Sequence, residues 1–223
     1  MIYGIIPARG GSKSIPLKNI KLLNGKPLIE YTIESGLKSK KIDKLIVSTD
    51  HDDIINICKK YEKLIVIKRP SSISDDKSPT ELSLIHVCET LVKKGNQVPK
   101  IVVTLEPTSP LRKTSTIDDC IDILLNKNEY DSVMCICETD SCFGNIVDNK
   151  FQHIIKNQPR RRQDREKMYF ETGNVYVTKY ENLISNKRVL GKKIYPYVVD
   201  KISAMDINDE DDFRIAEAIL SSR

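Results

Sequence analysis

Short apolar runs alternate along the chain with segments of helical periodicity, and this alternation constrains the fold more than any other feature. The first apolar run, Ile2 to Pro7, predicts a buried strand, and a helix is predicted from Leu28 to Leu37 with Pro27 at its start. Further strands are predicted at 45–48, 64–67, 101–105 and 132–137, and further helices at 52–61, 80–93 and 116–125. This order favours an α/β fold, in which a mainly parallel sheet carries helices on both faces.

A polar stretch from about 139 to 172 interrupts the alternation. It contains the run Arg-Arg-Arg-Gln-Asp-Arg at 160–165, and we expect it to leave the sheet as an excursion. Apolar residues return at 175–177, and a last helix is predicted from 210 to 220. The length of 223 residues suits one domain with a substantial core, so we expect a single domain over 1–223.

The composition is that of a soluble globular protein, with 39% hydrophobic and 30% charged residues. The net charge of +5 is modest and aromatic–basic tracts are missing, so we expect no nucleic-acid partner. No signal peptide and no stretch long enough to span a bilayer can be recognised. We therefore expect a cytoplasmic protein without a membrane partner, and free thiols at its six cysteines.

The segment after the first strand, from Pro7 to Asn19, combines glycine with basic residues. Gly10 and Gly11 let the backbone approach a ligand closely, and the amides of such a turn can bind an anion. Arg9 and two lysines add positive charge. The segment matches neither the Walker loop nor the dinucleotide fingerprint, so it is either a phosphate-binding loop of another kind or a tight basic surface turn.

The sequence Ile-Pro-Ala-Arg-Gly-Gly-Ser-Lys at 6–13, followed by Pro-Leu-Lys-Asn-Ile and Asn-Gly-Lys-Pro-Leu-Ile, resembles the acylneuraminate cytidylyltransferases, also called CMP-sialic acid synthetases. Five more blocks match in the family's order, at 46–50, 69–70, 106–112, 173–176 and 206–208. The resemblance implies a Rossmann-like nucleotidyltransferase fold, a magnesium ion, CTP as donor and a homodimer. It also implies that the excursion makes dimer contacts and completes the partner's sugar site.

The resemblance further implies how the first loop binds CTP. Arg9, Gly10, Ser12 and Lys13 hold the triphosphate, and Asn19 contacts the nucleotide. Arg9 and Lys13 are also expected to be catalytic, because they stabilise the pyrophosphate as it leaves.

Three residues lie where the family binds cytosine and ribose: Arg69, Ser78 and Thr80. Arginine presents a fork of fixed donors that suits base edges and phosphates, although Arg69 also fits a surface position at the end of a strand. Ser78 and Thr80, which flank a proline, are equally ordinary choices for a loop and a helix cap.

A magnesium site is expected at Asp206 and Asn208, with Asp206 catalytic. Both residues fall on one side of a strand-like stretch, where two oxygen ligands suit magnesium. The family often has Asp at the second position, and Asn keeps an oxygen but loses the charge. The acidic residues at 209–212 favour the start of the last helix instead.

The sugar-binding residues are assigned by the same resemblance. They are Glu106, Arg162, Gln163, Thr172, Gly173 and Tyr176. Arg162 lies in a run of arginines, which is also typical of a solvated loop. The chain departs from the family at Glu106, where Gln is common, and at 170–172, where Phe-Glu-Thr stands for Arg-Pro-Asn.

Glu106 ends a predicted strand, so its side chain should point into the crevice where ligands bind in such sheets. An ionised glutamate only accepts hydrogen bonds, so Glu106 should face hydroxyl or amide donors of the sugar, or pair with Arg112 or Arg162. This favours legionaminic acid or a deaminated sialic acid as acceptor. The alternative is that Glu106 only caps backbone amides or holds an arginine in place.

The predicted function is therefore transfer of CMP from CTP to an acidic nine-carbon sugar. Two alternatives stay open: the same chemistry on another 2-keto sugar acid such as Kdo, and a non-catalytic nucleotide-binding module. Kdo enzymes tend towards A-R-x-x-S-T-R in the first loop, which differs from this loop. Arg9, Lys13 and Asp206 are all present, which argues against a chain that has lost activity.

Overall fold

The computed structural model describes residues 1–12 and 14–222. Its strands are β1 (Ile2–Pro7), β2 (Leu22–Leu23), β3 (Lys26–Pro27), β4 (Lys44–Thr49), β5 (Leu64–Lys68), β6 (Ile101–Thr104), β7 (Ser132–Thr139), β8 (Gly144–Val147), β9 (Lys150–His153), β10 (Met168–Lys179) and β11 (Ile194–Val199). Its helices are α1 (Leu28–Leu37), α2 (Asp52–Cys58), α3 (Thr80–Lys93), α4 (Thr114–Asn126), α5 (Tyr180–Asn186) and α6 (Glu210–Ser221).

Seven strands form the central sheet, in the order β11-β7-β10-β6-β1-β4-β5. All neighbouring pairs are parallel except those of β10, which runs antiparallel to both β6 and β7. From β1 the chain proceeds outward to β4 and β5 and then returns to place β6 on the other side of β1. The strand order therefore reverses between β1 and β6, where open α/β sheets bind their ligands.

Helices cover both faces of this sheet, as predicted. On one face, buried residues of α1, α2 and α4 pack against apolar side chains of the strands. On the other face, α3 and α5 do the same. A third cluster, which includes Ile15, Ile207 and Phe213, packs α6 against the segment that follows β1. The α/β prediction is confirmed.

The cysteines are free thiols, as predicted. Cys58, Cys88, Cys120, Cys135 and Cys137 are buried, whereas Cys142 is partly exposed. Burial raises the pKa of the Cys58 thiol to about 11 and that of Cys88 to about 12. These thiols therefore pack as small apolar side chains.

The polar excursion is shorter than predicted. Residues 168–172 already belong to β10 and pair with β7, so the chain leaves the sheet only between 139 and 168. Within that segment β8 and β9 form a hairpin whose loop, Asp148 and Asn149, has positive φ at both positions. This is the backbone that a two-residue hairpin turn requires.

Several elements were not predicted, namely the short strands β2 and β3, the hairpin of β8 and β9, α5 and β11. The helix predicted at 52–61 ends at Cys58, and the chain continues through tight turns to Tyr61. Within the described part of the chain, no helix combines the length and the apolar character needed to cross a membrane.

Candidate active site

A crevice of about 360 Å³ opens at the carboxyl ends of β1 and β6, where the strand order reverses. Its walls come from the segment after β1, from the loop before α3 and from the start of the loop after β6. They are formed by Pro7, Arg9, Gly11, Ser12, Ser14, Lys18, Asn19, Asp76, Glu106, Pro107 and Thr108. The predicted phosphate-binding residues Arg9, Ser12 and Asn19 are thus brought together. Lys13 lies outside the described residues.

The first turn of this loop is fixed to the neighbouring strand β4. The Gly10 N–H donates a hydrogen bond to Asp50 Oδ1 at 2.9 Å, and Asn19 Nδ2 donates to the Arg9 carbonyl at 2.8 Å. A Cβ on residue 10 would lie 2.4 Å from the His51 ring, so only glycine fits there. The Gly10 amide is already paired within the protein, whereas nothing lies within 4 Å of a Cβ on Gly11. Gly10 therefore fixes the conformation of the loop, whereas Gly11 borders open space.

Arg9 projects across the crevice to the loop before α3. One guanidinium nitrogen lies 2.9 Å from an Asp76 carboxylate oxygen and 3.1 Å from the Asp75 carbonyl. On the opposite side, Lys18 Nζ donates to the Ile207 carbonyl at 2.8 Å, and burial lowers its pKa. An anionic ligand would compete with Asp76 for Arg9, because both offer negative oxygens to the same guanidinium.

Arg69 is buried at the end of β5, with 8% of its surface exposed. Its guanidinium donates to the hydroxyl and carbonyl oxygens of Ser48, at 3.1 and 2.8 Å. Burial lowers its pKa, and the nearby Asp50 opposes this effect. The alternative of a surface arginine is therefore wrong. Arg69 lines a cavity with Asp50, and the guanidinium is fixed in position beside it.

The other two residues expected near the base lie apart from Arg69. The Ser78 hydroxyl donates to Asp75 Oδ1 at 2.7 Å and closes a turn of the loop. Thr80 begins α3 and faces a different cavity from Arg69. The hydrogen bond of Ser78 is thus a local contact within the loop. Thr80 lines a second cavity.

This second cavity has a volume of about 560 Å³ and adjoins the crevice at Glu106, which lines both. Of the predicted sugar-binding residues, Glu106 and Tyr176 lie in its wall. Thr80 was predicted near the nucleotide, and Glu171 belongs to the stretch 170–172, which faces the sugar in the family. The remaining wall residues were not predicted; they are Glu81, Arg188, Val189, Leu190, Gly191 and Ile194. Most come from the connection between α5 and β11, where no site residue was predicted.

Glu106 is partly buried at the junction of the two cavities. The pKa of its carboxyl is raised to about 7, mainly by burial; Asp206 and Glu81 also raise it, whereas Arg112 and Arg69 lower it. No hydrogen bond or ion pair to this carboxylate is found among the described residues. At neutral pH the group is thus partly protonated and can donate as well as accept, which differs from the expectation of a pure acceptor.

Arg112 is buried beside Glu106 but does not pair with its carboxylate. The guanidinium donates to the Glu106 carbonyl at 2.7 Å, to Thr32 Oγ1 at 3.1 Å and to the Asn174 carbonyl. Burial lowers the pKa of Arg112 to about 10. These contacts hold the start of the loop after β6 in one conformation, so Arg112 positions Glu106 through its backbone.

The bulge in β10 brings Gly173 into the site. The register with β7 shifts between Glu171 and Tyr176. Within the bulge, the Thr172 hydroxyl donates to the Cys135 carbonyl at 3.1 Å, and Thr172 is only 2% exposed. Thr172 is thus occupied by a structural contact, whereas Gly173 lies next to Asp206. The Tyr176 hydroxyl donates to Glu171 Oε1 at 2.8 Å in the second cavity.

Asp206 and Asn208 flank Ile207, whose N–H donates to the Thr108 carbonyl at 2.8 Å. They lie on a segment without regular secondary structure rather than on a strand. Asp206 is partly buried, and its Oδ1 has no hydrogen-bond partner. Asn208 is exposed, and its Nδ2 contacts the Asp206 carbonyl at 3.4 Å. The following acidic residues begin α6 as predicted, with Asp209 as its cap.

Arg162 and Gln163 lie on the excursion, in a short 3₁₀ turn with exposed side chains. Arg162 forms an ion pair of 3.1 Å with Asp140. Neither residue lines either cavity of its own chain, so the expected pairing of Arg162 with Glu106 does not occur within one chain.

A family model described as cytidylyltransferase matches residues 3–209 of the chain. The chain belongs to the cytidylyltransferase family. The resemblance drawn from the sequence motifs is thereby confirmed.

Relatives of the chain carry names that specify different sugars. CMP-N,N'-diacetyllegionaminic acid synthase of Legionella pneumophila is 30% identical, with 98% of this chain and 96% of that protein aligned. N-acylneuraminate cytidylyltransferase of Streptococcus agalactiae serotype V is 29% identical over 94% of this chain, and the chain spans about half (51%) of that protein's length. Pseudaminic acid cytidylyltransferase of Campylobacter jejuni is 27% identical over 96% of this chain and 94% of its own.

Solved structures share the fold of the chain. CMP:2-keto-3-deoxy-manno-octonic acid synthetase, complexed with CTP, superposes with a TM-score of 0.74 at 14% identity, covering 99% of this chain and 98% of its own. 4-Diphosphocytidyl-2C-methyl-D-erythritol synthase from Anaerococcus prevotii gives 0.69 at 17% identity, covering 99% and 96%. The predicted Rossmann-like nucleotidyltransferase fold is confirmed.

One carboxylate of the site has the chemistry of a cation ligand. Among the described residues, no group of three or more His, Cys, Asp or Glu side chains could hold a metal ion. Asp206 nevertheless presents a buried, unpaired oxygen, and a Cβ on Gly173 would fill the space beside it. Magnesium often takes only one or two protein carboxylates and completes its shell with phosphate and water oxygens.

Proposed function

We propose that the chain transfers CMP from CTP to an acidic nonulosonic sugar, of the sialic or legionaminic acid type, and releases pyrophosphate. The observation that carries this proposal is the junction at Glu106 of two cavities, one lined by the basic loop after β1 and the other by Tyr176. A donor in the first cavity and an acceptor in the second would meet at Glu106, whose carboxyl is close enough to Asp206 for the Asp206 charge to raise its pKa. The names of the relatives, which specify N-acylneuraminate, legionaminate and pseudaminate, support this class of acceptor.

The reaction is a nucleotidyl transfer in which positioning and charge neutralisation supply most of the catalysis. The anomeric hydroxyl of the sugar forms a bond to the α-phosphorus, the bond from this phosphorus to the bridging oxygen breaks, and the hydroxyl proton is lost. Arg9 exchanges Asp76 for the triphosphate. Arg9 and Lys13 stabilise the leaving pyrophosphate, as the resemblance to the family implies. The fixed guanidinium of Arg69 contacts the nucleotide.

Asp206 would hold magnesium in this scheme. Asn208 is the second ligand that the sequence predicts, but its side chain is exposed and its amide contacts the Asp206 carbonyl. When bound, the ion neutralises phosphate charge and favours the deprotonated hydroxyl. The unpaired Oδ1 of Asp206 supports this role, because a buried carboxylate oxygen otherwise has a hydrogen-bond partner.

The chain forms a homodimer through the excursion, and Arg162 and Gln163 bind the sugar carboxylate in the partner's site. The apolar side chains exposed on the hairpin and just after it support this arrangement: Ile146 is 78%, Phe151 58% and Ile154 60% exposed. Large apolar side chains grouped on one projection often mark an interface. Light scattering tests this directly, since the mass of a monomer would contradict it.

The decisive experiment measures pyrophosphate release by the purified chain with CTP, ATP, GTP or UTP and a panel of sugar acids. We expect turnover only with CTP and a nonulosonic acid. A preference for Kdo would show that the acceptor is another 2-keto sugar acid and not a nonulosonic acid. Equal turnover with ATP would contradict the cytidylyltransferase activity, and CTP binding without turnover would point to a non-catalytic nucleotide-binding module.

The acceptor is a legionaminic or deaminated sialic acid rather than N-acetylneuraminate itself, because Glu106 stands where Gln is common. Glu106→Gln should then shift the specificity constants towards N-acetylneuraminate by about tenfold or more, the scale of one buried hydrogen bond to a charged group. An equal loss with every sugar would instead indicate a structural role for Glu106.

A further inference from the structure

Gly173 lies beside the Asp206 carboxylate, and this contact explains why the residue is glycine. A Cβ on residue 173 would lie 3.1 Å from Asp206 Oδ1 and 3.4 Å from Ser109 Oγ. The backbone does not require glycine here, because the glycines with positive φ in the described chain are Gly25 and Gly95. The missing side chain therefore keeps open a small space that Asp206 and Ser109 share.

Both oxygens that face this space are buried and unpaired. Asp206 Oδ1 and Ser109 Oγ are among the five buried side-chain polar atoms of the described residues that have no hydrogen-bond partner. Ser109 is only 1% exposed. Since buried polar groups are nearly always satisfied, two unpaired oxygens within 3.4 Å of one point are typical of a ligand site.

The two segments that carry these oxygens are fixed relative to each other. The Ile207 N–H donates to the Thr108 carbonyl at 2.8 Å, which sets the residues next to them, Asp206 and Ser109, side by side. On the Ser109 side, the buried guanidinium of Arg112 donates to the Glu106 carbonyl at 2.7 Å and holds the loop. The pair of oxygens is thus built into the fold.

We propose that Ser109, and not Asn208, supplies the second protein oxygen that faces the divalent cation beside Asp206, with Gly173 keeping the space open. This inference rests on the proposed function for the identity of the cation. A hard cation prefers oxygen ligands, and a site with one carboxylate needs neutral oxygens to complete it. The Ser109 hydroxyl is such an oxygen and has no other partner, whereas Asn208 is exposed and its amide turns onto the Asp206 carbonyl.

The test measures Mn²⁺ affinity by electron paramagnetic resonance, with the full chain alone and with CTP, and without any sugar. Ser109→Ala removes the hydroxyl and Gly173→Ala fills the space, so each should weaken Mn²⁺ binding about tenfold to a hundredfold. Asn208→Ala should weaken it less than about threefold. Thr104→Val is the matched control, because Thr104 Oγ1 is also buried and unpaired but is not one of the atoms beside Gly173. It should leave the affinity unchanged.

Thermal melting without metal separates binding from folding. Removing an unpaired buried hydroxyl relieves its desolvation cost, so Ser109→Ala should melt at the wild-type temperature or above. The inference is overturned if Ser109→Ala stays within about twofold of the wild-type affinity, or if Asn208→Ala is the more damaging change. If the chain binds Mn²⁺ as stated but does not transfer CMP, only the proposed function is overturned. The two results are independent, because the metal measurement contains no sugar and does not depend on turnover.

Discussion

Replacing Glu106 with Gln should stabilise the protein at high pH, and the size of the effect follows from its surroundings. Burial raises the pKa of this carboxyl from 4.5 to about 7. The folded state therefore binds the proton more tightly than the unfolded state, and stability falls as the pH rises from about 4.5 to about 7. Above pH 7 the ionised carboxylate lowers the unfolding free energy by its full amount. The neutral amide of Gln removes this loss.

The raised pKa corresponds to about 3 kcal/mol of unfolding free energy at pH 8, at about 1.4 kcal/mol per pKa unit. Because solvent reaches part of the side chain, we expect about 2 kcal/mol at pH 8 and about 0.5 kcal/mol at pH 5. With a urea dependence of about 2.5 kcal/mol per molar, the midpoint for Glu106→Gln should rise by about 0.8 M at pH 8.

Urea denaturation followed by circular dichroism measures this, at pH 5 and pH 8, without nucleotide or metal. Glu129→Gln is the control, because Glu129 is an exposed glutamate on the surface, and its midpoint should not change at either pH. An equal effect of Glu106→Gln at both values, or a destabilisation at pH 8, would refute the reasoning that an unpaired ionised carboxylate is buried between the two cavities.

Other changes probe the site and its support. Asp206→Ala should lower the turnover number about a hundredfold, for a loss of ~3 kcal/mol of transition-state stabilisation, and Asn208→Ala should cost less; the reverse order in steady-state kinetics would contradict this. Lys13→Ala should lower the turnover number more than it raises the Michaelis constant for CTP, and an effect on the Michaelis constant alone would show that Lys13 only anchors the substrate. Arg112→Lys should lower the unfolding free energy by about 2–4 kcal/mol, because a buried guanidinium with three acceptors is replaced by an ammonium; an unchanged urea midpoint would contradict this.

The elements with strong periodicity were predictable from the sequence. The bounds of β1, α1 and α3 agree with the prediction residue for residue, because each has a clear apolar pattern and a proline near one end. β11 was missed since Pro196 interrupts its apolar run. β11 is nevertheless a strand because it lies at the edge of the sheet, where a residue without an N–H is tolerated.

Only those parts of the site that are formed by residues adjacent in sequence could be predicted. The loop around Arg9 and the acidic start of α6 follow from local chemistry. The proximity of Gly173 to Asp206 does not, because it depends on a bulge in β10 and on a hydrogen bond between two distant loops. The raised pKa of Glu106 also depends on burial by the whole fold rather than on its neighbours in sequence.

The distribution of the cysteines makes the chain suitable for selective chemical labelling. Five thiols are buried, and Cys142, which is partly exposed, lies on the excursion, three residues after the end of β7. A maleimide reagent added to the native protein should therefore modify one position without any engineering. The rate at that position, followed as protein concentration rises, would report whether a second copy covers this segment, and a fluorophore placed there would lie outside the central sheet.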